Sequence, residues 1–511
     1  MFYVPLYFEV LRSRPLLIFW VATIAQALVW LLVPLFFYSA PPGDLPRLLA
    51  IGNALPLDGG VGPPFAYWLG AGVVRAAGLF GIYVLAQICV IVTYWCVFAL
   101  ASAIIGPTHA AIAVLLMLGI AVFTVSTPDF GATILTMALW SVALLHYWRA
   151  VVQKQRGSWY VLGVAGGLIL LTSQAALILL GSLALFTALN PRPRAALGNI
   201  IEPWIVAVGL VPLLFLHLLW LEGAADGLSP ALAQLRNADA SIGNAMAWLR
   251  LIGALVGAHA GLAVLVALAS GWPRSHASPT PPVVRSPVDP FAAAFVRTFA
   301  LAPALLATIV AVLVGTRQPI GGAAPLLVLS GLGVMMAAGD SVVLYHQRVL
   351  GFAWAGLLIA PAIFVPAVIV LLPWTVGADL AVAQPAAPMG RFFADSFERR
   401  TGHPLAIVSG DARTAELVAA AAPSHPSIYF DADPKRSPWI TANDIKEKGA
   451  VVVWPVAETS SAPPPEIMAR FPNLVPEVPQ TFTRPVRGRL PPLRIGWAMI
   501  RPISAPPGPG S

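Results

Sequence analysis

Charge is what this sequence has least of. Of 511 residues only 10% are Asp, Glu, Lys or Arg, while 58% are hydrophobic. A water-exposed globular domain carries roughly 25% charged residues, so a soluble fold is excluded for most of the chain. Cysteine is almost missing: Cys89 and Cys96 stand seven apart in one apolar run. On a helix they share a face about two turns apart, too far to bridge, and they read as packing residues. Lysine is scarcer still before residue 375, where Lys154 stands alone. Also missing are a P-loop, a G-x-G-x-x-G, paired-cysteine metal spacing and an H-E-x-x-H. Aligned acids within the apolar runs, which an ion pump needs, are missing too.

What is present in quantity is long apolar runs. They predict spans near 16–38, 81–104, 108–126, 131–149, 158–172, 174–190, 201–221, 248–270, 296–315, 323–345 and 349–373, each of a size suited to a ~30 Å hydrocarbon core. The stretch 158–190 reads either as a broken helix pair or as one long element. The first run is too long for the apolar core of a cleavable leader and lacks an A-x-A site, so it reads as a first membrane helix. Basic residues then orient the chain. Arg149, Lys154 and Arg156, the pair Arg192 and Arg194, Arg274 with Arg285, and His346 with Arg348 all fall on one side, together with Arg12 and Arg14. The positive-inside rule makes that side, and the N-terminus, cytoplasmic. The net charge of +8 then reflects cytoplasmic loops and the lipid surface rather than nucleic acid. An odd number of spans puts residues 375–511 outside, in the periplasm of a Gram-negative cell.

Two long segments on the outer side do not span. Segment 39–80 contains PPGDLPR, LPLDGGVGPP and FAYWLGAGVVRAAGLF, the last suited to a helix lying at the interface. Segment 222–247 carries Glu222, Asp226, Arg236 and Asp239, whereas 271–292 is a Pro-rich linker on the cytoplasmic side. From 375 onward charges become dense. PLAIVSG, PSIYF and AVVVWPV predict strands and TAELVAAAA a helix, so a small α/β domain is expected over 375–505, with a disordered tail at 506–511.

Ionisable residues near a membrane are costly and therefore candidates for function. Asp44 and Arg47 form D-x-x-R just beyond the first span; Asp58 follows, and Asp129 sits in STPDF at an outer turn. Because lysine is missing from the outer face of the membrane portion, an anion held there must be held by arginine, backbone amides or metal. The arginines available are Arg47, Arg75, Arg236 and Arg317, whose planar forks suit phosphate. Arg75 also suits snorkelling to headgroups. Asp340 and His217, inside spans, read as caps or partners of neighbouring helices. Asp431 and Asp433 form a D-x-D that reads as a turn after a strand.

These residues together resemble glycosyltransferase family 39, which includes protein O-mannosyltransferases and bacterial lipid A aminoarabinose transferases. The resemblance rests on Asp44 in GDLPR, on Gly62-Pro63-Pro64-Phe65 with Trp68, on STPDF around Asp129, on GLILLTSQAALILL, and on tail segments such as PSIYFDADPKRSPW and PLRIGWAMI. It implies a mainly helical GT-C membrane fold of about eleven spans over 1–374, a periplasmic α/β domain and a site at the outer membrane face. It also implies a polyprenyl-phosphate-linked sugar as donor and a lipid or protein acceptor. Asp44 would be the catalytic base; Arg47, Arg317, Asp129, Pro63 and Pro64 would serve substrate and phosphate binding. Gly62 and Ser173 depart from the family, which has basic residues there. One charged hydrogen bond to phosphate contributes about 1.5–3 kcal/mol. Either arginines take over, or a divalent cation bridges phosphate and Asp44, or catalysis is lost and the chain is a binding scaffold. A transporter needs inverted repeats or polar residues near the bilayer midplane, and the sparse charge within the spans argues against one.

Overall fold

The computed structural model describes residues 9–54, 62–198, 200–223, 242–272, 282–378, 380–430, 433, 436–456, 462–472 and 474–503. Asp58, Asp226, Arg236, Asp239, Asp431 and the 506–511 tail lie outside the described residues. The chain divides into two compact units: Met1–Leu32, Tyr83–Leu218 and Leu228–Phe364 form one, and Val33–Ile82, Leu219–Gly227 and Val365–Ser511 the other.

The apolar runs form helices because a backbone in hydrocarbon must satisfy every amide within its own segment. Among the described residues six helices are long and apolar enough to span: Pro15–Phe37, Phe65–Ile105, Ala132–Val151, Glu202–Gly223, Pro290–Leu313 and Gln347–Thr375. Two bent pairs, Ala175–Leu189 with Pro191–Gly198 and Gly243–Gly257 with Ala260–Ala269, raise this to as many as eight. Pro107–Met117, Gly157–Leu170 and Ala323–Ala337 are shorter apolar helices. Each expected span falls on a helix, but those at 108–126, 158–172 and 323–345 fall on the three shorter ones, so length and composition give six to eight spans among the described residues rather than about eleven. The ambiguous 158–190 stretch is two helices, broken at residues 171–174.

Within the first unit, association rests on close backbone approach, as expected where lipid removes the hydrophobic drive between helices. A Cβ on Gly331 would lie 2.1 Å from the Ala113 carbonyl oxygen, and one on Gly119 2.3 Å from the Leu262 nitrogen. Aromatic rings fill the remaining space: Phe295 and Phe299 have centroids 4.9 Å apart, and Phe186 lies 5.4 Å from Phe299. The two polar residues expected to serve helix packing separate here. His217 Nδ1 lies 2.6 Å from the Leu170 carbonyl on a neighbouring helix. Asp340 lies beyond the end of helix Ser330–Ala337 and pairs with Arg285 at 3.2 Å. The strands β1 (Val283–Val284) and β2 (Ser341–Val342) pair antiparallel beside that ion pair.

The second unit holds a five-stranded sheet of β3 (Ile407–Gly410), β4 (Ser427–Phe430), β5 (Ala450–Pro455), β6 (Gln480–Phe482) and β7 (Leu493–Ile500), in the order β4-β3-β5-β7-β6. β3 pairs parallel with β4 and β5, while β7 runs antiparallel to β5 and β6. The three expected strands and the helix (Ala412–Ala421) are present. Two further strands and the helix Ala386–Thr401 complete the domain. Its core gathers Met389, Phe393, Val418, Phe430, Val451 and Trp497, and it extends to Ala50 and Ile51 of the first outer loop.

Candidate active site

The turn after the first span is built so that Asp44 ends a loop and starts a helix. Gly43 has φ +50, and Asp44 is the N-cap of helix Leu45–Gly52, with a proline at the first turn. Proline tolerates that place because the amide there has no intrahelical acceptor. The helix buries Leu45, Leu48, Leu49, Ala50 and Ile51 and leaves Asp44 and Arg47 exposed. Its end is tied down as well: Asn53 Nδ2 donates to the carbonyls of Pro426 (3.1 Å) and Ala419 (3.4 Å).

The neighbours of Asp44 and Arg47 come from the α/β domain. The Arg47 guanidinium lies over the Phe430 ring at 5.3 Å. Arg413 donates from Nη1 to the Gly43 carbonyl at 3.1 Å. Its other partner is Glu416, one turn further along the same helix, at 3.9 Å. Glu416 is only 8% exposed. Burial pushes its carboxyl above the usual range; Arg47 and Arg413 pull it down, and Asp44 and Asp411 push it up. Tyr67 is within electrostatic reach of both Arg47 and Asp44. Cation–π stacking uses the face of the guanidinium and leaves its in-plane N–H groups free for an oxyanion. Asp44 thus opens a helix that carries Arg47 one turn on, and Arg413, paired with the buried Glu416, donates to the carbonyl of the residue before Asp44.

Sequence reasoning found Asp44 and Arg47 but missed Arg413, Glu416 and Phe430. No spacing rule links a residue at 44 to one at 413. The available signal was Arg413 and Glu416 lying three apart on a predicted helix.

Gly62, Pro63 and Pro64 are buried, and the Pro64 carbonyl accepts from the amides of Tyr67 and Trp68 at the start of helix Phe65–Ile105. That helix breaks at Gly78 (φ 64), which separates the expected interfacial stretch from the following span. Arg75, within it, donates to the Asn53 carbonyl at 3.3 Å.

The remaining candidates belong to the membrane-helix unit. Asp129 is half-buried, two residues before the Gly131 N-cap of helix Ala132–Val151. Ser173 is buried and accepts from the Ala175 amide at 3.2 Å, at the start of helix Ala175–Leu189. Arg317 is exposed on a loop ending in Gly321 and Gly322. Both glycines have φ near +80; a Cβ on the first would lie 2.2 Å from Ala175 Cβ, and on the second 2.7 Å from Thr133 Oγ1. The loop therefore rests against the N-terminal ends of helices Ala175–Leu189 and Ala132–Val151. A separate cavity of about 400 Å³, lined by Gly163, Gly167, Val206, Gly209 and Leu213 among others, carries no charged side chain and suits a lipid chain rather than chemistry. Among the described residues no three His, Cys, Asp or Glu side chains gather to hold a metal. A cation bridging to Asp44 would have that carboxylate as its only identified protein ligand, so no step is derived through one.

A multi-pass helical membrane domain followed by a small α/β domain is the fold this chain shares with solved structures. Residues 61–220 match the family model for dolichyl-phosphate-mannose-protein mannosyltransferase. The particular likeness is to ArnT from Cupriavidus metallidurans. The apo crystal structure is similar with a TM-score of 0.56 at 15% identity, covering 94% of this chain and 97% of that one. The structure of ArnT bound to undecaprenyl phosphate gives 0.54 at 14% identity, with the same coverage. No curated protein matches by sequence.

Proposed function

We propose that the protein transfers a sugar from a polyprenyl-phosphate donor to an envelope lipid or protein acceptor, at the outer face of a bacterial inner membrane. The observation that carries this reading is the exposed Asp44 at the N-cap of a helix that also carries Arg47, with Arg413 on the carbonyl before it, on a fold like one crystallised with undecaprenyl phosphate. Asp44 takes the proton of the acceptor hydroxyl as its oxygen bonds to the anomeric carbon. The carbon–oxygen bond to phosphate breaks, and polyprenyl phosphate leaves with the electron pair. That leaving group is already an anion and needs charge stabilisation more than a proton. By the family resemblance, Arg317 and Arg47 are the cations assigned to the donor phosphate. Asp129 stands before helix Ala132–Val151, where it orients bound substrate. Pro63 and Pro64 fix the start of the interfacial helix. In this reading 1–374 is the transferase domain, the N-terminus is cytoplasmic and 375–505 is periplasmic.

Gly62 and Ser173 favour a second reading, a binding scaffold, because neither supplies a charge where the family has one. Mass spectrometry of envelope glycolipids and glycoproteins from cells with and without the gene separates the two. A transferase predicts a sugar modification that disappears with the gene. An unchanged profile, together with loss of function on deleting 375–511, supports the scaffold.

A further inference from the structure

We infer that the α/β domain is part of the catalytic apparatus, with Arg413 as the residue that positions the Asp44 turn. The inference rests on the reading of Asp44 as the base. Asp44 follows Gly43, whose backbone is in the left-handed region (φ +50) that favours glycine. Such a turn is adaptable, and a base held on it needs an external constraint. The Gly43 carbonyl receives one: the 3.1 Å hydrogen bond from Arg413 Nη1. A charged donor to a carbonyl is stronger than a neutral one. Arg413 is itself held by Glu416, buried within the helix Ala412–Ala421. That helix is anchored by Asp411, which accepts from both the amide (3.0 Å) and the hydroxyl (2.7 Å) of Thr414. The helix packs with Ala50 and Ile51 in one core. The chain of constraint therefore runs from the sheet, through the Asp411 cap and Arg413, to the residue preceding the base. Arg47, stacked on Phe430 at the end of β4, is fixed by the same domain.

General bases lose effect steeply when displaced, because rate depends on near-attack geometry. Arg413 touches the turn rather than the reacting atoms, so it is a positioning residue. The test is complementation of a gene-deleted strain with Arg413→Ala, Arg413→Lys, Arg413→Gln and Asp44→Asn, reading the gene-dependent sugar modification by mass spectrometry. Each purified variant is also melted with and without added undecaprenyl phosphate. Expected are a roughly tenfold to 100-fold loss in Arg413→Ala, recovery of most product in Arg413→Lys, which keeps a charged donor, and partial recovery in Arg413→Gln. Stabilisation by undecaprenyl phosphate should be retained in all three Arg413 variants. Wild-type product in Arg413→Ala overturns the positioning role while Asp44→Asn is inactive. Wild-type product in Asp44→Asn removes the reading of the base itself, whatever Arg413 does. If Arg413→Ala fails to fold, an equal, deep loss in well-folded Arg413→Lys and Arg413→Gln contradicts the role.

Discussion

Glu416 is the residue whose chemistry is least expected from its neighbours in sequence. Its carboxyl is buried at 8% exposure and held above the usual range by that burial, against the pull of Arg47 and Arg413. A folded state that holds a proton to higher pH than the unfolded chain loses relative stability as pH rises through the folded value. Below the unfolded carboxylate range, near pH 4, the shift costs nothing. Glu416→Gln removes the titration. Its melting temperature should therefore fall less than that of the wild type between about pH 5 and about pH 8, measured in one detergent at constant salt. A wild-type slope in the variant would show that the carboxyl is not the group responsible. Asp44 and Arg47 were legible in the sequence because a charge just beyond an apolar run is conspicuous. Glu416 and Arg413 were not, since a charged helix in a charge-dense tail reads as a solvated face.

At the scale of elements, the Arg317 loop shows why glycine pairs near helix ends carry information. Gly321 combines φ +80 with a Cβ position 2.2 Å from Ala175 Cβ, so alanine there meets both backbone strain and a clash. Gly321→Ala should cost about 1–3 kcal/mol and weaken stabilisation by undecaprenyl phosphate, both read from melting curves. Unchanged melting would mean that the loop does not rest on helix Ala175–Leu189. The apolar runs gave the helices directly, because hydrocarbon leaves no other backbone solution. The Gly78 kink falls within three residues of the boundary expected between interfacial stretch and span, and the break at residues 171–174 matches one of the two readings left open for 158–190. In the α/β domain, AVVVWP was visible as a buried β-run. LRIGWAMI was not read as a strand, although it forms β7 between β5 and β6. Its larger residues Leu493, Ile495, Trp497 and Met499 alternate with Arg494, Gly496 and Ala498, so a period of two was there to be read, while its place is set by long-range pairing with Ala450–Pro455.

For the whole molecule, the segment after the first span groups with the C-terminal domain rather than with the spans: Val33–Ile82 and Val365–Ser511 fall in one compact unit. A linear reading of domains misses this, since contact between segments over 300 residues apart leaves no local trace. The proposed topology puts that unit outside the cell membrane. Cys89 and Cys96 are buried, so a Glu398→Cys variant carries a single exposed thiol. A membrane-impermeant thiol reagent should label it in intact spheroplasts; labelling only after lysis would invert the orientation. The central claim is that one carboxylate, Asp44, removes the proton from an acceptor. Replacing it with asparagine keeps size and hydrogen bonding but abolishes the base, which contributes on the order of 10²–10⁴-fold in rate. Mass spectrometry of the envelope from cells carrying only Asp44→Asn, with membrane levels of the protein matched to wild type, is the direct measurement. Loss of the gene-dependent sugar is the predicted result, and a wild-type amount of it would contradict the account.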